Sequence, residues 1–203
     1  MFISPSWPPY SLLELVGADL IDGLLAAGHE VIVRPHRDAE RLAGESLGEL
    51  RDRFQGRPNF TLATGRPEGD EFFNADVLIT DWSGSGLSFS YSRERPVLFI
   101  DIPRKVLNPE YERFANLPLE VTIRDKIGAV LSPARVAEAP GLVASLHDRR
   151  EEIALSIRTE RERWVFNIGR SAQTGAAAIA RLADKSALAG AARLIPNRAA
   201  PCG

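Results

Sequence analysis

Ser83 and Ser85, alternating with Gly84 and Gly86 in the run DWSGSG, are the residues of this chain best placed to do chemistry. Val77 to Thr80, an apolar run, stops at Asp81 just before them, and a second apolar run, Val97 to Ile100, follows a short segment. That order predicts strand, tight turn, helix and strand, with both strands apolar without alternation, as in a parallel sheet covered on both faces. The turn then falls at the carboxyl end of a strand and the amino end of a helix. An open α/β sheet keeps its ligand crevice there, and helix amides favour an anion such as phosphate. Serine and glycine are also ordinary caps and turn formers, so plain capping stays open beside anion binding. The run is not a GxGxxG, a P-loop or a GxSxG elbow.

Other candidates lie at other strand ends. His36 follows Pro35 at the end of EVIVRPH, and Arg34 alternates with it, so both can face one side; Arg37 adds a second cation. Asp81 and Asp101 each end a strand, but neither belongs to a cluster with metal-ligand spacing, so no protein-held metal is expected. Arg104 and Lys105 can reach a diphosphate or simply end a solvated loop. Trp7 and Trp82 can stack on a base or close the crevice, with packing favoured for Trp82. His29 and His147 read as surface residues.

The elements that must position these groups follow in chain order. Phe2 and Ile3 start a strand almost at the first residue, ahead of the breaker-rich SPSWPPYS. Ser11 is a candidate N-cap with Glu14 at the capping-box position, and Leu12, Leu13, Val16, Leu20, Leu24 and Leu25 keep helical spacing up to Gly28. A buried strand, EVIVRPH, precedes a charged amphipathic helix over Ala39 to Phe54. Asn59 to Ala63 reads as a third strand, TGRPEGD as a loop, and DEFFNA as a short helix. Beyond Asp101 the pattern predicts a long ligand-facing loop with one short helix, then a short strand over Ile127 to Leu131. Helices follow over Ala134 to Leu146, Asp148 to Trp164 and Ala172 to Leu182, the second of them charged and solvent-facing. The alternation implies an α/β fold with a doubly wound parallel sheet. One Rossmann-like lobe is expected over 1–184, with a flexible tail over 185–203. The carboxyl strand ends then gather Ser4 to Trp7, Arg34 to His36, Thr64, Asp81 to Gly86 and Asp101 to Lys105.

Composition narrows the function classes. Net charge is −2 and the isoelectric point is near 6.0, which leaves no global basic field for nucleic acid. The single cysteine, Cys202, excludes an intrachain disulfide. No apolar run approaches the roughly 20 residues that span a bilayer, and the first ten residues lack the features of a signal peptide, so a cytoplasmic location is expected.

The segments SPSW, VIVRPH, ADVLITDWSGSG, RPVLFIDIPRK, and PLE followed by IRDKIG occur in an order that resembles the CDP-glycerol glycerophosphotransferase family of teichoic-acid-type polymer enzymes. The likeness covers about Phe2 to Gly128. It implies a two-lobed GT-B-type glycosyltransferase architecture, with this chain matching the C-terminal, nucleotide-binding lobe. It further implies transfer of glycerol phosphate from CDP-glycerol, or a related CDP-polyol, to a hydroxyl on a lipid-linked glycan or polymer acceptor at the inner membrane face, with no cofactor. In the family pattern His36 is the catalytic histidine near the donor diphosphate. Asp81 and Ser83 belong to the family's Asp–aromatic–Ser turn, and Ser6, Arg34, Gly84, Ser85, Arg104 and Lys105 join them as substrate-binding residues. The pattern departs at Arg37, where members usually carry proline. It also implies an upstream lobe with a His-Gly segment acting on the acceptor, and the strand at the very start of the chain fits one lobe of something larger. Two readings therefore stand: a transferase or its donor lobe, and a non-catalytic nucleotide-sugar-binding module or truncated fragment. A serine hydrolase using Ser83 or Ser85 is disfavoured by the missing elbow.

Overall fold

The computed structural model describes residues 1–64, 71–106, 108–114 and 116–183. Six strands form one sheet: β1 (Phe2–Ile3), β2 (Val31–Val33), β3 (Phe60–Leu62), β4 (Leu78–Thr80), β5 (Val97–Ile100) and β6 (Gly128–Leu131). All neighbours pair in parallel, in the order β3-β2-β1-β4-β5-β6. This is the Rossmann-like, doubly wound topology, in which the chain moves outward from β1 in one direction and from β4 in the other. The expected fold class is what the chain adopts.

The central strands are buried on both faces, as their unbroken apolar runs require. Phe2, Ile3, Val31, Val33, Leu78, Ile79 and Val97 to Ile100 are all buried, whereas β3 and most of β6 at the edges are partly exposed. Each fully buried large aliphatic side chain contributes roughly 1.5–3 kcal/mol of transfer free energy. Helix α1 (Leu12–Ala26) lays Leu12, Leu13, Leu20, Ile21, Leu24 and Leu25 against this core. Its start is fixed as the sequence predicts, with the Glu14 carboxylate accepting from the Ser11 amide at 2.8 Å and the Ser11 hydroxyl at 3.0 Å. Two glycines permit close approach. A Cβ on Gly128 would lie 1.7 Å from the Val97 carbonyl oxygen, and one on Gly86 would lie 2.9 Å from the Phe99 ring. Gly128 thus lets β6 join β5, and Gly86 lets α5 (Ser85–Arg93) settle on the sheet.

Three expectations need correction. The single helix over Ala39 to Phe54 is two helices, α2 (Ala39–Leu42) and α3 (Gly44–Phe54), because Ala43 takes non-helical angles (φ −145°, ψ 37°). The helix from Ala134 is a 3-10 segment, Pro133–Glu138, before α7 (Ala139–Asp148). Between them in the chain come a short α4 (Glu71–Asn74), a 3-10 turn (Tyr111–Arg113) and α6 (Leu119–Thr122). The third correction concerns α8 (Arg150–Trp164), expected to face solvent. It buries Ile153, Ala154 and Ile157, and Arg158 and Arg161 pin it to Glu94 at 2.7 Å each. Its charge density hid a narrow apolar stripe.

Two compact units are distinguished, Met1–Arg161 and Glu162–Gly203. The first holds the whole sheet; the second contains α9 (Ser171–Ala183). The expected tail, 185–203, and most of the TGRPEGD loop lie outside the described residues. Among the described residues no helix is long and apolar enough to cross a membrane.

Candidate functional site

The strand order places the switch point between β1 and β4, and the serines of the sequence motif meet there. Ser4, just past β1, has its Oγ 3.1 Å from the Oγ of Ser85, the first residue of α5. Ser83 Oγ donates to Ser85 Oγ at 3.0 Å and accepts from the Ser85 amide at 3.3 Å. Thr80 Oγ1 donates to the Ser4 carbonyl at 2.5 Å and joins the two loops. Part of the expected amide cradle is used inside the turn, since the Gly86 amide donates to the Ser83 carbonyl. What the turn presents instead is a cluster of hydroxyls around Gly84, where an added Cβ would meet nothing within 4 Å. Such a cluster can donate to an anion at the positive end of α5.

Asp81 closes the floor of this crevice. It is 1% exposed, and its carboxylate accepts from the Ser6 amide at 2.7 Å and the Leu12 amide at 2.9 Å. The end of β4 thus satisfies an orphan amide of the first turn of α1 and sets the SPSW loop. Ser6 is buried with it, and among the described residues its hydroxyl has no partner.

Beyond β5 the site is cationic and aromatic. Trp82 donates its indole N–H to the Ile102 carbonyl at 2.8 Å, which anchors the ring against the chain after β5. Arg104 sits 5.3 Å from its ring centroid, and Arg124 at 3.9 Å. Lys105 donates to the Trp7 carbonyl and lies 4.7 Å from the Trp7 ring. Burial lowers the Lys105 pKa below the usual lysine value, against the opposing pull of Asp81 and Glu14. Trp82, Arg104 and Lys105 also wall a cavity of about 860 Å³ whose other sides come from the segment after β5, including Tyr111, Phe114, Leu117 and Val121. The segment expected as a long loop therefore forms most of the wall of an open cavity.

Arg124 was missed by sequence reasoning. It is 5% exposed, donates to Asp101 at 2.7 Å and points a second nitrogen at the Asp81 carbonyl at 3.5 Å. Burial lowers its pKa, and the bond to Asp101 opposes that shift. In the run IRDKI it looks like part of a solvated charge cluster. The available signal was its setting between Ile123 and Ile127, which are spaced one helical turn apart and both buried.

Arg34 and His36 stand at the end of β2, one strand over. Arg34 pairs with Glu71 at 3.6 Å. His36 Nδ1 accepts from the Asp38 amide at 3.2 Å and lies 3.6 Å from the Asp38 carboxylate, while Arg37 is almost fully exposed. Among the described residues no hydrogen bond or ion pair joins them to the serine turn. Nor does any group of three His, Cys, Asp or Glu there stand close enough to hold a metal ion. The fold is of the kind that many nucleotide-binding proteins use, which by itself assigns no reaction. No known family model matches the chain, and no curated protein is similar to it.

Proposed function

We propose that the chain binds the diphosphate of a CDP-polyol, such as CDP-glycerol, at the β1/β4 switch point and acts as the donor lobe of a GT-B-type glycerophosphotransferase. The observation that carries this is the meeting of Ser4, Ser83 and Ser85 at the start of α5, with Arg104 and Lys105 held against Trp82 and Trp7 in the segment after β5. Hydroxyls at a helix start, with two cations on a neighbouring strand end, suit a diphosphate better than a neutral ligand. In the reaction the acceptor hydroxyl attacks the β-phosphorus of CDP-glycerol. A bond forms from the hydroxyl oxygen to that phosphorus, the bond from the phosphorus to the oxygen bridging the two phosphates breaks, CMP leaves with the electron pair, and the hydroxyl proton passes to water. Positive groups offset the charge that builds on the departing phosphate. Arg34 would supply such a group, and His36 beside it would donate a hydrogen bond to that phosphate once its ring leaves the Asp38 amide. A lipid-linked acceptor would bring the protein to the inner face of the membrane as a peripheral contact.

A non-catalytic nucleotide-sugar-binding module is the second reading. It is favoured by the geometry at β2, where Arg34 and His36 are engaged with Glu71 and Asp38 rather than turned onto the serine cluster. Calorimetry on the purified chain tests the ligand class common to both. CDP or CDP-glycerol should bind more tightly than NAD or ATP, and equal or tighter NAD binding would overturn the assignment. Alone, the chain should release little or no CMP from CDP-glycerol in the presence of acceptor, and robust release would make it a complete transferase and overturn both the donor-lobe and the module readings.

A further inference from the structure

We propose that Arg124 is a positioning residue of this site, one that fixes the Trp82 ring and through it the turn carrying Ser83 and Ser85. The proposal rests on the nucleotide reading of that turn. Trp82 is held at three points. Its N–H is bonded to the Ile102 carbonyl, its ring lies against the Arg124 guanidinium, which also approaches the Phe99 ring at 4.9 Å, and Arg104 makes a longer contact at 5.3 Å. Arg124 is itself oriented by Asp101 and the Asp81 carbonyl. Asp81, Trp82 and Ser83 are consecutive, so a ring that cannot turn restrains the backbone on which the Ser83 hydroxyl is hung.

Stability alone does not account for this choice of residue. Burying a guanidinium costs desolvation that one ion pair rarely recovers, and an apolar side chain of similar volume in such a slot is often neutral or stabilising. Asp101 is half-exposed and does not need a buried partner to be solvated. A flat, charged group between two rings does have one property that methionine and lysine lack. It stacks and donates in fixed directions at once.

The test uses the full chain with Trp7→Phe and Trp164→Phe, which leaves Trp82 as the sole tryptophan, and compares Arg124 with Arg124→Met and Arg124→Lys. Both variants should melt near the parent, show more acrylamide quenching of Trp82, and bind CDP about tenfold more weakly. Unchanged quenching, or greater quenching with unchanged CDP affinity, overturns the proposal. So does a melting temperature that falls in step with affinity, or a failure of both variants to fold, since Arg124 would then be a plain structural residue. If only Arg124→Met fails to fold, Arg124→Lys decides. If the chain with its native Trp7 and Trp164 binds no CDP, the nucleotide reading fails on its own. Quenching then decides whether Arg124 fixes Trp82.

Discussion

The end of β4 and the end of β2 face the same edge of one sheet, yet they hold their polar side chains in different ways. At β4 the groups are interlocked around two buried charges. Asp81 accepts from two amides, Arg124 lies against both Trp82 and Phe99, and the partly buried serines bond to one another. At β2, Arg34 and His36 are partly exposed and pair singly with Glu71 and Asp38 at 3.6 Å. The contrast follows from neighbours. β4 lies between β1 and β5 in the middle of the sheet, where polar groups must be satisfied internally, while β2 borders the partly exposed β3. A rigid half can hold a phosphate without paying ordering entropy at binding. The looser half is suited to groups that adjust when a ligand arrives.

Breaking the rigid half should have the larger effect. Asp81→Ala leaves the Ser6 and Leu12 amides buried without their acceptor, so denaturant unfolding should show a loss of at least about 3 kcal/mol. A loss below about 1 kcal/mol would mean that the loop and α1 do not depend on this carboxylate. Altering the loose half should leave folding alone and touch only the ligand. His36→Ala should unfold like the parent and bind CDP a few-fold more weakly, with Arg34 and Arg37 compensating in part, roughly the loss of one exposed charge-assisted contact. Destabilisation comparable to that of Asp81→Ala would erase the distinction between the two strand ends.

The parts of this molecule that were legible in its sequence are those governed by local rules. Unbroken apolar runs located β4 and β5, the Ser11–Glu14 spacing located the start of α1, and strand–helix alternation gave the parallel sheet. The convergence of Ser4 with Ser85 was accessible from topology, because parallel strands bring their carboxyl ends to one edge. The partners of Arg124 were not legible, since Trp82, Phe99 and Asp101 are all at least 20 residues distant in the chain, and only Ile123 and Ile127 marked the position locally. The internal role of Asp81 was hidden for the same reason, its partner Leu12 being 69 residues away. The break at Ala43 was masked by helix-forming composition, and the buried stripe of α8 by its charge density.

Whether the serine turn at the switch point holds a diphosphate is decided by titrating CDP and cytidine into the parent and Gly84→Val. The position has open space around its missing Cβ and an ordinary helical φ of −59°, so the variant should fold, as circular dichroism would show. A branched side chain there should push the anion off the hydroxyls and weaken CDP by at least about tenfold, the value of one charge-assisted hydrogen bond, while cytidine binding hardly changes. A folded Gly84→Val that binds CDP as the parent does would make the turn a plain helix cap and contradict the account.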